Sequence, residues 1–310
     1  MNPMPEPSLE PMALAGPPKH LGGIWLGIMR RDRRVMTGTI FLGLFLAMAL
    51  FGPLLAPYDP TATQFVPLAA PSAQHWLGTT ATGQDVFSQF LYGSRTSLAV
   101  GFGAGFLATL LAIILGMLPA YLGGRIDTVF ATAINVMLVI PGLPLLIVLS
   151  AYVHSAGPLT IAIVIGLTGW AWGARILRSQ TLSLARRDFV IAARLSGESH
   201  LGILFSEILP NMLALVVANL IFAALAAILA EASLEFLGLG NPQAITWGTM
   251  LYWSNVGQAL LNGAWWWIVP PGLAIALVGL SLALVNFGID QLANPRLRTR
   301  AQVSPKQGGS

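Results

Sequence analysis

Residues 175–210 read RILRSQTLSLARRDFVIAARLSGESHLGILFSEILP and set five arginines between two long uncharged stretches. The segment divides into two short helices at a corner. Asp188 is placed to cap a helix on which Phe189, Ala192 and Ala193 share one face by the i, i+3, i+4 rule, with Arg186, Arg187 and Arg194 left in solvent. Gly197 permits a turn that a Cβ would hinder. A second helix, 199–209, turns Leu201, Phe205 and Ile208 toward the membrane before Pro210 leads into the next span. The result is a small apolar knob on a basic stalk. It carries no chemistry of its own and suits docking into a cleft of a partner that moves it as a rigid body.

Outward from this corner the chain is a sequence of neutral runs. Only 9% of its 310 residues are charged and 55% are of hydrophobic type, against roughly 25% charge in an average soluble domain. Charge-free stretches occupy 35–58, 96–124, 128–174, 208–230 and 236–289, each longer than the roughly 20 residues that cross a bilayer. The stretch 128–174 is divided by Ser155, Ala156, Gly157 and Pro158 into two spans joined by a tight turn. The stretch 236–289 opens with Gly238, Gly240, Asn241, Pro242 and Gln243 and carries Ser254, Asn255, Gln258 and Asn262, too polar for helix in lipid. Only 265–289 is expected to cross. Residues 244–261 are expected to be interfacial or re-entrant, with Trp247, Tyr252 and Trp253 in the headgroup belt. The expected fold is all-α with six transmembrane helices.

Lysine and arginine sort by side. Fifteen of the sixteen fall before span one, between spans two and three, between spans four and five, or after span six; Arg95 alone does not. The positive-inside rule then puts both termini in the cytoplasm. The organisation expected is a basic, disordered N-terminal segment 1–34, a first span 35–58, an external segment 59–95, a membrane core 96–289 containing the cytoplasmic loop 175–210, and a cytoplasmic tail 290–310. At 37 residues, 59–95 is too short to fold alone and must pack on the spans or on a partner.

Several chemistries lack their residues. No GxxxxGK[ST] loop surrounds either lysine, no HExxH pair occurs among the four histidines, no GxSxG elbow exists, and there is no cysteine. Gly101, Gly103 and Gly105 suit close helix packing better than a dinucleotide. Glu231 and Glu235, four apart on one helical face, are either interfacial acids or the lining of an external gate; Asn135, Asn219 and Asn286 are neutral amides inside spans. Pro141, Gly142 and Pro144 should kink span three.

The run IAARLSGESHLGILFSEILP at 191–210 resembles the EAA loop of ABC importer permeases, with Ala192, Ala193, Gly197, Leu209 and Pro210 in register. Ile191 stands where that pattern has Glu, and Glu207 where it has Ile. LGTTATGQDVFSQFLYGSRTSL (77–98), INVMLVIPGLPLL (134–146), EASLEFLGLGNPQAITWGTML (231–251) and GIDQLANPRLR (288–298) are similar to four strings of the C-type permease subunit of dipeptide, oligopeptide and nickel importers, Thr80, Gln84, Asn135, Glu235 and Asn294 being departures. The resemblance implies a bacterial inner-membrane permease. Its implied partners are a homologous B-type permease, two cytoplasmic ATPases that hold ATP and Mg, an external binding protein and membrane lipid, with no nucleic acid. No cofactor is implied in this chain and no catalysis of its own. It also implies ATPase coupling through Asp188, Phe189, Ile191, Ala192, Ala193, Arg194, Gly197, Glu198, Leu209 and Pro210. Asp85, Arg95, Glu231 and Glu235 fall on the external, gate or binding-protein side. Short peptides are the expected cargo, with nickel chelates, opines and oligosaccharides open. Two rivals remain at this stage: an ion-coupled carrier using Glu231 and Glu235, and a membrane scaffold.

Overall fold

A computed structural model describes residues 32–152 and 157–293, together with Gly27 and Met29. The N-terminal tail, the middle of the turn near 155 and residues 294–310 lie outside the described residues.

Helix α1 (Arg33–Leu55) is capped by Asp32, whose carboxylate accepts the Arg34 N–H at 2.9 Å. It buries Val35, Gly38, Phe45 and Gly52 against the bundle, with Leu42, Met48 and Ala49 packed beside them, and leaves Leu44, Leu50 and Leu54 exposed, as suits a helix at the lipid boundary. Helix α2 (Val86–Leu122) runs 37 residues, about 55 Å at the α-helical rise and well beyond a roughly 30 Å hydrocarbon core. It starts ten residues before the neutral stretch, so Arg95 lies within it, exposed. A π-helical segment widens it at Ile113–Met117.

Helices α3 (Gly124–Val139) and α4 (Gly142–Tyr152) meet at an 87° bend. Pro141 offers no N–H to continue the first ladder and holds Ile140 extended, φ −70° and ψ 125°. The kink expected in span three is therefore a near right-angle break. Among the described residues five helices are long and apolar enough to cross a membrane, and the count is six when this broken pair is taken as one span.

Helix α5 (Pro158–Leu184) carries Arg175 and Arg178 past the apolar part of its span. The corner follows as α6 (Asp188–Leu195) and the first turns of α7 (His200–Phe236). Pro210 does not divide the corner from the span: the helix is continuous, and it passes through a π-helical segment at Ile203–Ile208 just before the missing proline N–H. Helix α8 (Trp247–Val256), at ten residues, is too short to cross; α9 (Trp265–Ala293) returns through the bundle.

Three helices make the centre. A Cβ on Gly101 would overlap Ile228, one on Gly105 would lie 2.6 Å from the Ala224 backbone nitrogen, and one on Gly116 would lie 2.5 Å from the Ala174 carbonyl, so α2 meets α7 and α5 at backbone distance. Gly103, the middle residue of the glycine run, faces open space. Asn219 donates to Thr109 Oγ1 at 3.0 Å between α7 and α2, which uses up one of the neutral amides as interhelical glue.

Candidate functional site

The two groups of residues singled out from the sequence sit at opposite ends of the bundle. At the arginine-rich end, α6 begins after Arg187, whose backbone is extended; Asp188 is its first helical residue and complements the helix dipole without capping through its side chain. The chain turns at Gly197, in the left-handed region at φ 81°, with its N–H bonded to Arg194 O and the Glu198 N–H to Ala193 O. Ser199 Oγ then caps α7 by accepting the Gly202 N–H at 3.0 Å, and Glu198 accepts the Ser206 hydroxyl at 2.8 Å across the turn.

The inward face of this corner differs from the expected one. Val190 is fully buried and Ala193 half-buried, whereas Phe189 and Ala192 are exposed. On the second arm Ile203, Leu204 and Ile208 enter the core, packing with Met117, Tyr121, Leu177 and Met212. Leu201 and Phe205 stay outside it. The i, i+3, i+4 rule found the stripe but not its phase: a helix with apolar residues on two sides has two candidate faces, and the packing of α2 and α5 selects the one through Val190. What remains outside is an apolar surface of Phe189, Ile191, Leu195, Leu201 and Phe205, with Leu195 84% exposed.

Arg194 is also not simply solvated. Its Nε donates to Tyr121 Oη at 3.3 Å and its guanidinium lies 4.9 Å from the Tyr121 ring centroid. Beside it Arg178 makes a two-pronged bond to Asp127 at 2.7 and 2.8 Å, tying α5 to α3. Neither Tyr121 nor Asp127 was signalled by a motif; the only cue was an isolated acid and a tyrosine at the charged edges of neutral runs.

At the other end Asp85, Glu231 and Glu235 are all buried, so none of the three can face a docked protein. Asp85 is the cap of α2: it accepts the Ser88 N–H and hydroxyl, each at 2.7 Å, and pairs with His75 Nδ1 at 2.8 Å. Glu231 accepts the Ser97 hydroxyl at 3.2 Å; the Thr246 hydroxyl donates to Glu235; and the Trp247 N–H donates back to Ser97 at 3.1 Å. The acid pair therefore joins α2, α7 and the start of α8 and does not line an open entry. The pair is reached by no basic side chain: among the described residues the ion pairs are His75–Asp85 and Arg178–Asp127. Trp247 is likewise fully buried, in the core and not in a headgroup belt, with its indole N–H on Phe90 O at 3.2 Å. Arg95 alone of this group is exposed.

Segment 57–85 covers this end. Tyr58, Phe65 and His75 pack ring to ring, and Trp266 Nε1 on α9 donates to Thr79 O at 3.3 Å. Between this segment and residues 242–253 lies a cavity of about 460 Å³ walled in part by Gln84, Gln89, Gln243 and Trp253.

Comparison with known proteins gives the family. Residues 108–299 match the family described as binding-protein-dependent transport system inner membrane component, and residues 24–71 match the N-terminal TM domain of oligopeptide transport permease C. The chain belongs to this family of transport permeases. It is 33% identical over 273 residues to the dipeptide transport system permease protein DppC of Bacillus subtilis (strain 168), covering 87% of this chain and 84% of that one. It is 32% identical over 272 residues to the oligopeptide transport system permease protein OppC of the same organism, covering 87% and 88%. It is 32% identical over 275 residues to DppC of Alkalihalophilus pseudofirmus, again covering 87% and 88%. The protein is thus a multi-pass permease subunit of an ABC importer in the bacterial inner membrane, a component that works with ATPase and binding-protein partners.

Proposed function

We propose that the chain forms half of a pathway for short peptides, beside one homologous B-type permease, with two cytoplasmic ATPases holding ATP and Mg and an external protein delivering the cargo. The names of its relatives, dipeptide and oligopeptide transport permeases, support the cargo class. The observation that carries the coupling is the two-sided corner: Val190, Ile203, Leu204 and Ile208 fix it to the spans, while Phe189, Ile191, Leu195, Leu201 and Phe205 offer an apolar surface to a partner. A lone exposed leucine needs no explanation, but five large apolar side chains on one corner at the arginine-rich end do. The burial of Glu231 and Glu235 counts against the ion-coupled carrier, since a carrier acid must meet its ion from an open path.

The experiment is made on the turn. A Cβ at Gly197 meets nothing within 4 Å, but a side chain there strains the left-handed backbone and stands beside the docking surface. Gly197→Trp is expected to insert and assemble normally while transport of a labelled dipeptide falls by roughly tenfold or more per ATP hydrolysed, a coupling loss at the low end of about 1–3 kcal/mol. Unchanged transport per ATP in that variant counts against the coupling role. Competition by unlabelled peptide, but not by a nickel chelate or an oligosaccharide, checks the cargo.

A further inference from the structure

We propose that Tyr121 is the positioning residue that makes the docking corner move as one body with helix α2. The proposal rests on the docking reading above and adds the route by which displacement of the corner enters the spans. Tyr121 lies in the last turn of α2, 5% exposed. The two arms of the corner part at Gly197, and both come back to this one ring. From α6, Arg194 places its guanidinium 4.9 Å from the ring centroid and its Nε 3.3 Å from the hydroxyl. From the first residue of α7, the His200 ring stands edge-on with its centroid 5.8 Å away. Around the tyrosine, Met117, Val190, Ile203 and Leu204 close the core.

The connectivity alone would pass motion of the corner into α5 and α7, the two helices it joins. It offers no covalent path to α2, whose chain leaves in the other direction through Gly123 and Gly124. Tyr121 supplies a non-covalent one, in addition to the packing of α2 on α5 and α7. Its base is held: the α3 helix that follows is pinned to α5 by Arg178 and Asp127. Its upper end is connected: α2 meets the α7 backbone at Gly105 and the Ile228 side chain at Gly101, and reaches Glu231 through Ser97. A push on the corner thus arrives at the opposite end of the bundle along α2 as well as along α7. The π-helical segment at Ile113–Met117, immediately before the tyrosine, is where α2 has room to adjust.

The test uses the full complex of this chain, its partner permease and the ATPases in liposomes, reading labelled dipeptide transported per ATP hydrolysed. Tyr121→Leu removes ring and hydroxyl and is expected to lower that ratio roughly 5- to 10-fold, the low end of typical coupling free energies. Tyr121→Phe keeps the ring under the guanidinium and should lose only about two- to threefold, the lower end of what a hydrogen bond contributes. Arg194→Ala, at an exposed residue, should lower the ratio without the leucine variant's risk to folding, by less than Tyr121→Leu because His200 still meets the ring, and the double substitution should be no worse than Tyr121→Leu alone, because the leucine variant already lacks the arginine's partner. A wild-type ratio in Arg194→Ala, or losses that multiply in the double variant, overturns the proposal. Leu195→Asp separates the two readings. If it uncouples transport while Arg194→Ala does not, docking stands and the tyrosine route falls; if it changes nothing, the docking reading falls and the tyrosine route with it.

Discussion

Glu231 and Glu235 show what a single residue's surroundings decide. Both are buried, the carboxyl groups are within hydrogen-bonding reach of each other, and Glu231 Oε2 and Glu235 Oε1 receive no donor from other described residues. Two buried acids without a base are costly if both are charged. Glu231→Gln should therefore be tolerated within about 1 kcal/mol, since the amide oxygen still accepts from Ser97 and its nitrogen offers Glu235 a donor. Glu231→Leu should cost about 1–3 kcal/mol, because it strands the Ser97 hydroxyl and leaves Glu235 as an isolated buried acid. Chemical denaturation of the detergent-solubilised protein measures both, and a glutamine variant as unstable as the leucine one would contradict the account. The sequence showed that these acids share a helical face; it did not show that Ser97, 134 positions earlier, and Thr246 would close over them. The same holds for Asp85, placed on the external side by the resemblance: its partners are Ser88, three residues on, and His75, ten residues back. A side chain's partners across the fold are fixed by packing that no local spacing encodes.

At the scale of elements the glycine run on α2 makes a sharp contrast available. Gly101 and Gly105, one turn apart, sit against α7 where an added Cβ has no space, while Gly103 points away from every neighbour. Gly105→Leu should push α2 off the Ala224 backbone at a cost of about 1–3 kcal/mol or more, and Gly103→Leu should leave stability unchanged or slightly raised, since an exposed helix-interior glycine is about 1 kcal/mol worse than alanine. Thermal unfolding in detergent distinguishes them, and equal damage from the two would refute the packing role. Element existence was readable because charge and proline punctuate the chain: every neutral stretch holds a helix, and Pro141 breaks the third. Element ends were less so. Helix α2 begins at Val86, inside what reads as a loop, because Asp85 caps it and the polar Ser88, Ser94 and Ser97 point into protein, not lipid. Pro210 reads as a boundary in the sequence, yet the helix runs on through it after the π-helical segment at Ile203–Ile208. Hydropathy reports which segments tolerate an apolar surround, and it does not tell a serine buried in protein from one in water or a wide helical turn from a regular one.

The whole molecule is polarised. One end gathers the corner, Arg178, Arg186, Arg187 and Arg194; the other gathers the covering segment 57–85, the acid pair and the tryptophans at 247, 253 and 266. The arginine bias assigns the first end to the cytoplasm, and the docking reading requires the same, because ATP is available only there. The two arguments are independent, one from retention of cations during insertion and one from where the partner ATPases must stand, so orientation tests both together. The chain has no cysteine, which makes a single introduced thiol an unambiguous reporter. Leu195, 84% exposed, and Ala73, exposed in the covering segment, lie at the two ends. With a membrane-impermeant maleimide, Ala73→Cys should be labelled in spheroplasts and Leu195→Cys only in inside-out vesicles. Assembly with the ATPases should then shield Leu195→Cys in those vesicles and leave the labelling of Ala73→Cys unchanged. Labelling of Leu195→Cys from outside the cell would overturn the orientation, and with it the assignment of the corner to ATPase docking.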